Sequence, residues 1–230
     1  MPITRPLLGA VVAFDLDGTL VDTAPDLIGA LNHVLDEERL PPAPTDAARH
    51  LVGHGAKALL QRGFALAERP WESEREKRLV ERFVEIYLAR IAQESRPFPN
   101  LLPALDALTA AGATLAVCTN KRTDLSLALL EGVGLLQRFA AVVGADSAPA
   151  PKPDARHLLS TIAAAGGRVD RALMIGDSAA DVGGARNARV PVVVVSFGYS
   201  DAPVETLGAD AVIHDYAELQ AVAERLLDGR

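Results

Sequence analysis

Cysteine and aromatic residues are scarce in this chain of 230 residues, and basic residues are outnumbered by acidic ones, 23 to 30. A single cysteine, Cys118, excludes an internal disulfide, and its place inside an apolar run reads as a core position rather than a nucleophile. An aromatic content of only 4% disfavours an aromatic-rich sandwich and suits helices packed closely on a sheet. The net charge of -7, with no basic patch, argues against nucleic acid or an anionic membrane as the main partner. An anionic substrate would need positive charge supplied locally. No apolar run is long enough to span a bilayer, and the first residues lead into a short apolar run that ends in acids, unlike a secretory signal. The expectation is a cytoplasmic protein.

Apolar residues make up 49% of the chain, many of them alanine, which is enough for a large buried centre. Short runs of strand type occur at Ala10 to Phe14, Thr114 to Cys118, Ala140 to Val143, Ala172 to Ile175, Val192 to Ser196 and Ala211 to Ile213. The central runs are almost wholly apolar, as strands buried on both faces are. Between them, Leu101 to Ala111 and Asp124 to Leu130 carry helical spacing and stop near glycines. The succession predicts an α/β fold built on a doubly wound, parallel, Rossmann-like sheet. The gap between the first two long strands far exceeds a crossover helix, and it predicts an all-helical insertion over 22–96, with 1–21 and 97–230 forming the core. Helices are expected at about Asp26 to Glu38, Thr45 to Leu60 and Glu74 to Ile91, and Val21 to Thr23 and Arg96 to Pro99 would be the two hinge strands.

Four polar clusters fall at the carboxyl ends of these strands, where parallel sheets place ligands. The first is Asp15-Leu16-Asp17-Gly18-Thr19. If Val11 to Asp17 is extended, both carboxylates project to one side, so the pair needs a metal ion or a shared proton to relieve its repulsion. The second is Thr119-Asn120, which reads equally as a turn or cap before the helix at Thr123. The third is Lys152 between Pro151 and Pro153, either a solvated loop lysine or one aimed inward by its stiff neighbours. The fourth is Gly176-Asp177-Ser178-Ala179-Ala180-Asp181, either a helix N-cap with an acidic first turn or part of a metal site. His33, His50, His157 and His214 fall in no such pattern.

Taken together and in this order, the clusters resemble the four motifs of the haloacid dehalogenase superfamily of phosphotransferases, and the insertion resembles that family's helical cap. Within the family, Phe14 to Asp26, Leu51 to Ala56, Thr119-Asn120-Lys121, Gly144 to Ser147, Lys152-Pro153 and Phe197-Gly198-Tyr199 are similar to the phosphoglycolate phosphatase group. The chain departs from that group at Asn100, where glycine is usual, at Ala180, where a polar residue is usual, and at Arg189-Val190, where Ala-Gly is common.

The resemblance implies a Mg²⁺-dependent phosphomonoester hydrolase that works through an aspartyl phosphate on a small phosphorylated metabolite, 2-phosphoglycolate foremost. Other capped phosphatases and phosphosugar mutases are the alternatives it leaves open. It makes Asp15 the nucleophile and Asp17 the general acid and then base. It assigns Mg²⁺ to Asp15, the backbone carbonyl of Asp17 and Asp177, and it makes Lys152, the Thr119 hydroxyl and backbone N–H groups near Asn120 the phosphate cradle, with Asp181 supporting Lys152 or a metal-bound water. An aspartate at position 17 favours phosphate esters over the dehalogenase and phosphonatase branches, which do not protonate an alkoxide. Gly53-His54-Gly55 is either a connection between helices or a loop whose N–H groups meet an anion.

Overall fold

The computed structural model describes residues 5–45, 52–53 and 55–228. In chain order its main elements begin with β1 (Val11–Phe14), β2 (Val21–Asp22), α1 (Ala24–Glu37), α2 (Ala56–Leu66), α3 (Glu76–Arg90) and β3 (Arg96–Pro97). The chain continues through α4 (Leu101–Ala110), β4 (Thr114–Cys118), α5 (Thr123–Gly132), β5 (Ala141–Val143), α6 (Ala155–Ala164) and β6 (Ala172–Gly176). It ends with α7 (Ala179–Ala188), β7 (Val192–Val195), β8 (Ala211–Ile213) and α8 (Leu219–Leu227). No helix among the described residues is long and apolar enough to cross a membrane.

Six strands form one parallel sheet in the order β5, β4, β1, β6, β7, β8. The chain winds outward from β1 to β4 and β5, then returns to the other side of β1 as β6, which makes the carboxyl ends of β1, β4 and β6 the switch point where open α/β sheets bind ligands. Strand alternation distributes the apolar side chains over two faces. Val12 and Phe14 of β1 join a cluster with Leu105 and Leu108 of α4 and Leu219 and Leu227 of α8. Val11 and Ala13 face the other way, onto Leu158 and Ile162 of α6 and Val182 and Ala185 of α7. Cys118 is buried in this second layer, and burial pushes its thiol up to about 11, which leaves it un-ionised at neutral pH.

The helical segment between β2 and β3 has an apolar cluster of its own. Leu27, Leu31 and Val34 on α1 meet Leu60 and Phe64 on α2 and Leu79 and Phe83 on α3, with Leu125 and Tyr199 the contributions from elsewhere. The two connecting segments pair as a short antiparallel ribbon, Val21 opposite Pro97 and Asp22 opposite Arg96. Near that junction the fully buried Asp26 carboxylate accepts hydrogen bonds from Glu94 N, at 3.0 Å, and from Ser95 N and Oγ, at 2.8 and 2.7 Å. It thereby ties the start of α1 to the end of the helical segment.

Two expectations are corrected. The first strand ends at Phe14, where its apolar run ends, but the extended path on to Asp17 that would put both carboxylates on one side is not followed, because Leu16 starts a tight turn in which Leu20 N and Val21 N both donate to its carbonyl. The helix expected over Thr45 to Leu60 is not continuous: Thr45 is helical, but a separate helix, α2, begins after Gly55 and continues to Leu66. Val52 and Gly53 form a turn, and Gly53 and Gly55 hold φ of +97° and +89°, conformations that glycine adopts at little cost but a helix excludes. Residues 46–51 and His54, also part of that expectation, lie outside the described residues.

The departures at Asn100 and Arg189 both fall on left-handed backbone, at φ +59° in each case. Asn100 suits this conformation, and its amide donates to both oxygens of Asp215, at 2.9 and 3.0 Å. Arg189 caps the end of α7. Replacing it with glycine removes the Cβ conflict and is expected to stabilise the fold by about 1 kcal/mol, read as a higher urea midpoint at unchanged slope.

Candidate active site

The site is assembled from loops that follow strands, and each loop is held by contacts to a distant part of the chain. Asp15 follows β1 and continues the sheet ladder, its N–H donating to Ile175 O at 2.9 Å. Its Oδ1 lies 3.0 Å from Lys152 Nζ but is not aligned for a hydrogen bond, so that atom is buried with no hydrogen-bond partner. The Lys152 ammonium also donates to Asp181 Oδ1 at 2.7 Å and to Cys118 O at 2.6 Å. The loop lysine is therefore aimed inward, and its side chain is 2% exposed.

Asn120 holds that loop in place. Its Nδ2 donates to Lys152 O at 3.0 Å and its Oδ1 accepts from Lys152 N at 2.8 Å, so its side-chain amide is spent on backbone. Thr119 accepts from Lys121 N at 3.2 Å through its hydroxyl oxygen, which leaves the O–H proton able to donate into the site. Thr119 and Asn120 both line the central cavity.

At the end of β6, Asp177 accepts from Thr19 Oγ1 at 3.1 Å and from Tyr199 N at 2.7 Å. Asp181 Oδ2 accepts from the N–H groups of Asp177 and Ser178, at 3.2 and 3.1 Å, and forms a capping box with Ser178 at the start of α7. The helix-cap reading of this cluster is realised, and Asp177 stands beside that cap at the end of β6. Gly18 permits the close approach. A Cβ there would sit 2.4 Å from Asp177 Oδ2, and the residue holds φ at +79°.

Asp15, Asp177 and Asp181 each present an oxygen within 4.8 Å of the others. Such a set of hard oxygen donors fits a divalent cation. Burial is the main cause that raises Asp15 to about 6, with Lys152 opposing and Asp181 and Asp17 adding to the shift. Burial, then Asp181 and Asp15, hold Asp177 well above the usual carboxylate range. A cation at this position would reverse both effects.

Asp17 stands apart from this cluster. Its Oδ1 accepts from Thr23 Oγ1 at 2.7 Å and from Lys121 Nζ at 3.0 Å, and its Oδ2 lies 3.2 Å from the same ammonium. The turn at Leu16 thus gives the two aspartates different cations, Lys152 for Asp15 and Lys121 for Asp17. Burial works against both ammoniums, yet Asp15 and Asp181 beside Lys152, and Asp17 beside Lys121, hold them above the ordinary lysine range.

Lys121 and Tyr199 entered the sequence reading only as members of motif-like patterns, and their contacts cross more than 100 residues. Because Thr23 spends its hydroxyl on Asp17, it does not cap α1. The Tyr199 hydroxyl does so instead, accepting from Thr23 N at 2.7 Å and Ala24 N at 3.0 Å while donating to Asp22. Tyr199 therefore joins the Asp177 end of the sheet to the first helix of the insertion. Only its place after a strand could have signalled this.

A cavity of about 530 Å³ opens over these groups. Its floor is Asp15, Asp17, Thr119, Lys152 and Asp177, and its roof comes from the helical segment through Leu27, Phe83 and Tyr87, with Gly53 and Gly55 at one side. Two buried ammoniums and a carboxylate cluster, bordered by apolar side chains of the helical segment, can hold a small anion away from bulk water.

The haloacid dehalogenase-like hydrolase family model matches residues 12–195. A phosphoglycolate phosphatase of Caulobacter vibrioides is 58% identical over 227 residues, covering 99% of this chain and 96% of that protein. A phosphoglycolate phosphatase of Agrobacterium fabrum is 48% identical over 225 residues, covering 97% and 96%. Among solved structures, one described as a predicted phosphoglycolate phosphatase from Haemophilus somnus 129PT superposes with a TM-score of 0.86 at 30% identity, covering 94% of this chain and 98% of that one. A polar site at the switch point of a parallel sheet, the matched family model and full-length relatives agree: the chain belongs to the haloacid dehalogenase-like hydrolases.

Proposed function

We propose that this chain is a phosphatase for a small phosphorylated acid, 2-phosphoglycolate foremost, that acts through an aspartyl phosphate on Asp15. The observation that carries this reading is the separation of two neighbouring carboxylates onto different cations, because one must attack while the other moves a proton. The names of the relatives supply the substrate.

In this reading an Asp15 carboxylate oxygen attacks phosphorus in line and the bond from phosphorus to the ester oxygen breaks. Asp17, held by Thr23 and Lys121 at the mouth of the floor, gives its proton to the departing alkoxide. Water then attacks the phosphoryl group on Asp15, its proton returns to Asp17, and inorganic phosphate and free Asp15 result. Lys152 and the Thr119 hydroxyl receive the phosphoryl oxygens, while Asn120 fixes the Lys152 loop and Asp181 fixes its ammonium. Asp15, Asp177 and the Asp17 backbone carbonyl, with Asp181 adjacent, would hold Mg²⁺, whose chemistry is to offset the repulsion between two anions that must meet. Residues 22–96 would act as the cap that excludes water.

A hydrolysis screen with Mg²⁺ tests this reading by ranking 2-phosphoglycolate, sugar phosphates, nucleotides and pyrophosphate by kcat/KM. The expected first rank is 2-phosphoglycolate. A sugar phosphate ranking first, or phosphate moving between hydroxyls of a sugar, would replace this substrate with that of another capped phosphatase or a mutase.

A further inference from the structure

Among the described residues four cations border the cavity, and three are already committed. Lys152 belongs to the Asp15 cluster, the exposed Lys57 pairs with Glu76 at 2.9 Å, and the exposed Arg122 pairs with Asp124 at 2.7 Å. Lys121 differs from the outer two in being buried, with its side chain 7% exposed, and in sitting beside Asp17. An ammonium has three N–H donors, and the Asp17 carboxylate takes at most two of them.

The surroundings of the remaining donor point to a ligand. Lys121 Nζ lies 4.5 Å from the centre of the Tyr87 ring, over its face. Tyr87 comes from α3, on the roof, and its buried hydroxyl oxygen has the Lys121 ammonium as its polar neighbour, while no acceptor among the described residues takes its O–H proton. A buried O–H proton without an acceptor is costly, and because Tyr87 lines the cavity, a group that fills the cavity could supply that acceptor. Burial pushes the Tyr87 hydroxyl up to about 12, so it remains an O–H donor. A buried ammonium and a buried O–H proton without an acceptor, on two residues that line the same cavity, suit a second anion rather than a neutral or cationic group.

We propose that Lys121 and Tyr87 form a carboxylate subsite that binds the acid end of the substrate while its phosphate lies at Asp15 and Lys152. This rests on the phosphatase reading above and adds to it the group that selects an acid. The geometry agrees with the chemistry. Asp17 serves the bridging ester oxygen, and in 2-phosphoglycolate one methylene separates that oxygen from the carboxylate, so the acid end belongs beside Asp17 on the side away from Asp15. Lys121 is the residue there. Because Tyr87 is carried by the helical insertion and Lys121 by the sheet, a bound carboxylate would also join the two.

The test compares 2-phosphoglycolate with ethyl phosphate, which has nearly the same size and no carboxylate, using the full chain with Mg²⁺. In Lys121→Met the ratio of the two kcat/KM values is expected to fall at least about tenfold, chiefly through KM for the acid, and in Tyr87→Phe by about threefold or more. Lys121→Arg should retain most of the ratio. Calorimetric binding of 3-phosphonopropionate, set against propylphosphonate, gives the same comparison without turnover and should lose its preference for the acid in both variants. Equal losses on both substrates would show that Lys121 only holds Asp17, and would overturn the subsite. A wild-type protein with no preference for 2-phosphoglycolate over ethyl phosphate would overturn the functional reading itself, before any variant is compared.

Discussion

Replacing Asp15 with asparagine is expected to lower kcat for every phosphate monoester by about 10⁴-fold or more, the scale on which loss of a nucleophile is felt. The substitution keeps the shape of a side chain that lies among Lys152, Asp177 and Asp181, so the fold should survive. Asp17→Asn separates the two roles. It should slow hydrolysis of 2-phosphoglycolate by about 10²- to 10⁴-fold, since an alkoxide leaves poorly without a proton. With p-nitrophenyl phosphate, whose leaving group needs no proton, the same variant should release a burst of nitrophenolate equal to the enzyme present and then slow, because the phosphorylated Asp15 would await a base. Rapid-mixing absorbance at substrate excess reads the burst. Full turnover by Asp15→Asn, or no burst and no slowing in Asp17→Asn, would remove the aspartyl phosphate from the account.

The second large effect concerns stability against pH. Asp15 is raised above its ordinary value of 3.8, to about 6, and Asp177 moves in the same direction, both chiefly because they are buried. The unfolded chain gives up these protons near the ordinary value while the folded chain still holds them. Each group therefore contributes stability that is fully present below about 4 and lost as pH rises through its folded value. For Asp15 this loss falls between about 4 and 6. In EDTA-treated protein, Tm should accordingly fall between pH 5 and pH 8. Mg²⁺ binds the ionised carboxylates of the folded chain only, so it should raise Tm by several degrees at pH 8 and by much less at pH 5. Thermal unfolding followed by circular dichroism, with and without MgCl₂, measures both. The Asp15→Asn variant should show a shallower pH dependence without metal. A Mg²⁺ effect that is equal at pH 5 and pH 8 would separate the cation from these carboxylates.

Much of this site was legible in the residues because the relevant signals are local. A buried parallel strand advertises itself as an unbroken apolar run, so the positions after Phe14, Cys118 and Ile175 were assigned to one sheet edge, where the structure places Asp15, Thr119 and Asp177. The break at Gly55 was less legible, because glycine within an apolar, alanine-rich stretch is compatible with a helix until its positive φ is known. The amide of Asn120 offers another case. Its residue type suits a phosphate cradle, a turn or a loop brace, and only the position of Lys152 in space selects the brace.

Sequence alone determined the α/β order, the helical insertion, the motif residues and the family resemblance, since each depends on periodicity or spacing within a few residues. Tertiary structure alone decided which cation serves which aspartate. The turn at Leu16 sends Asp17 away from Asp15, and Lys121 and Lys152 arrive from loops 104 and more than 130 residues further along the chain. It also placed Tyr199 on the first turn of α1 and Tyr87 at the cavity with its ring beside Lys121. The physical reason is common to all of these. A charge pair or an orphaned hydroxyl is defined by distance and exclusion of water, and neither quantity exists until strands far apart in the chain have been brought side by side.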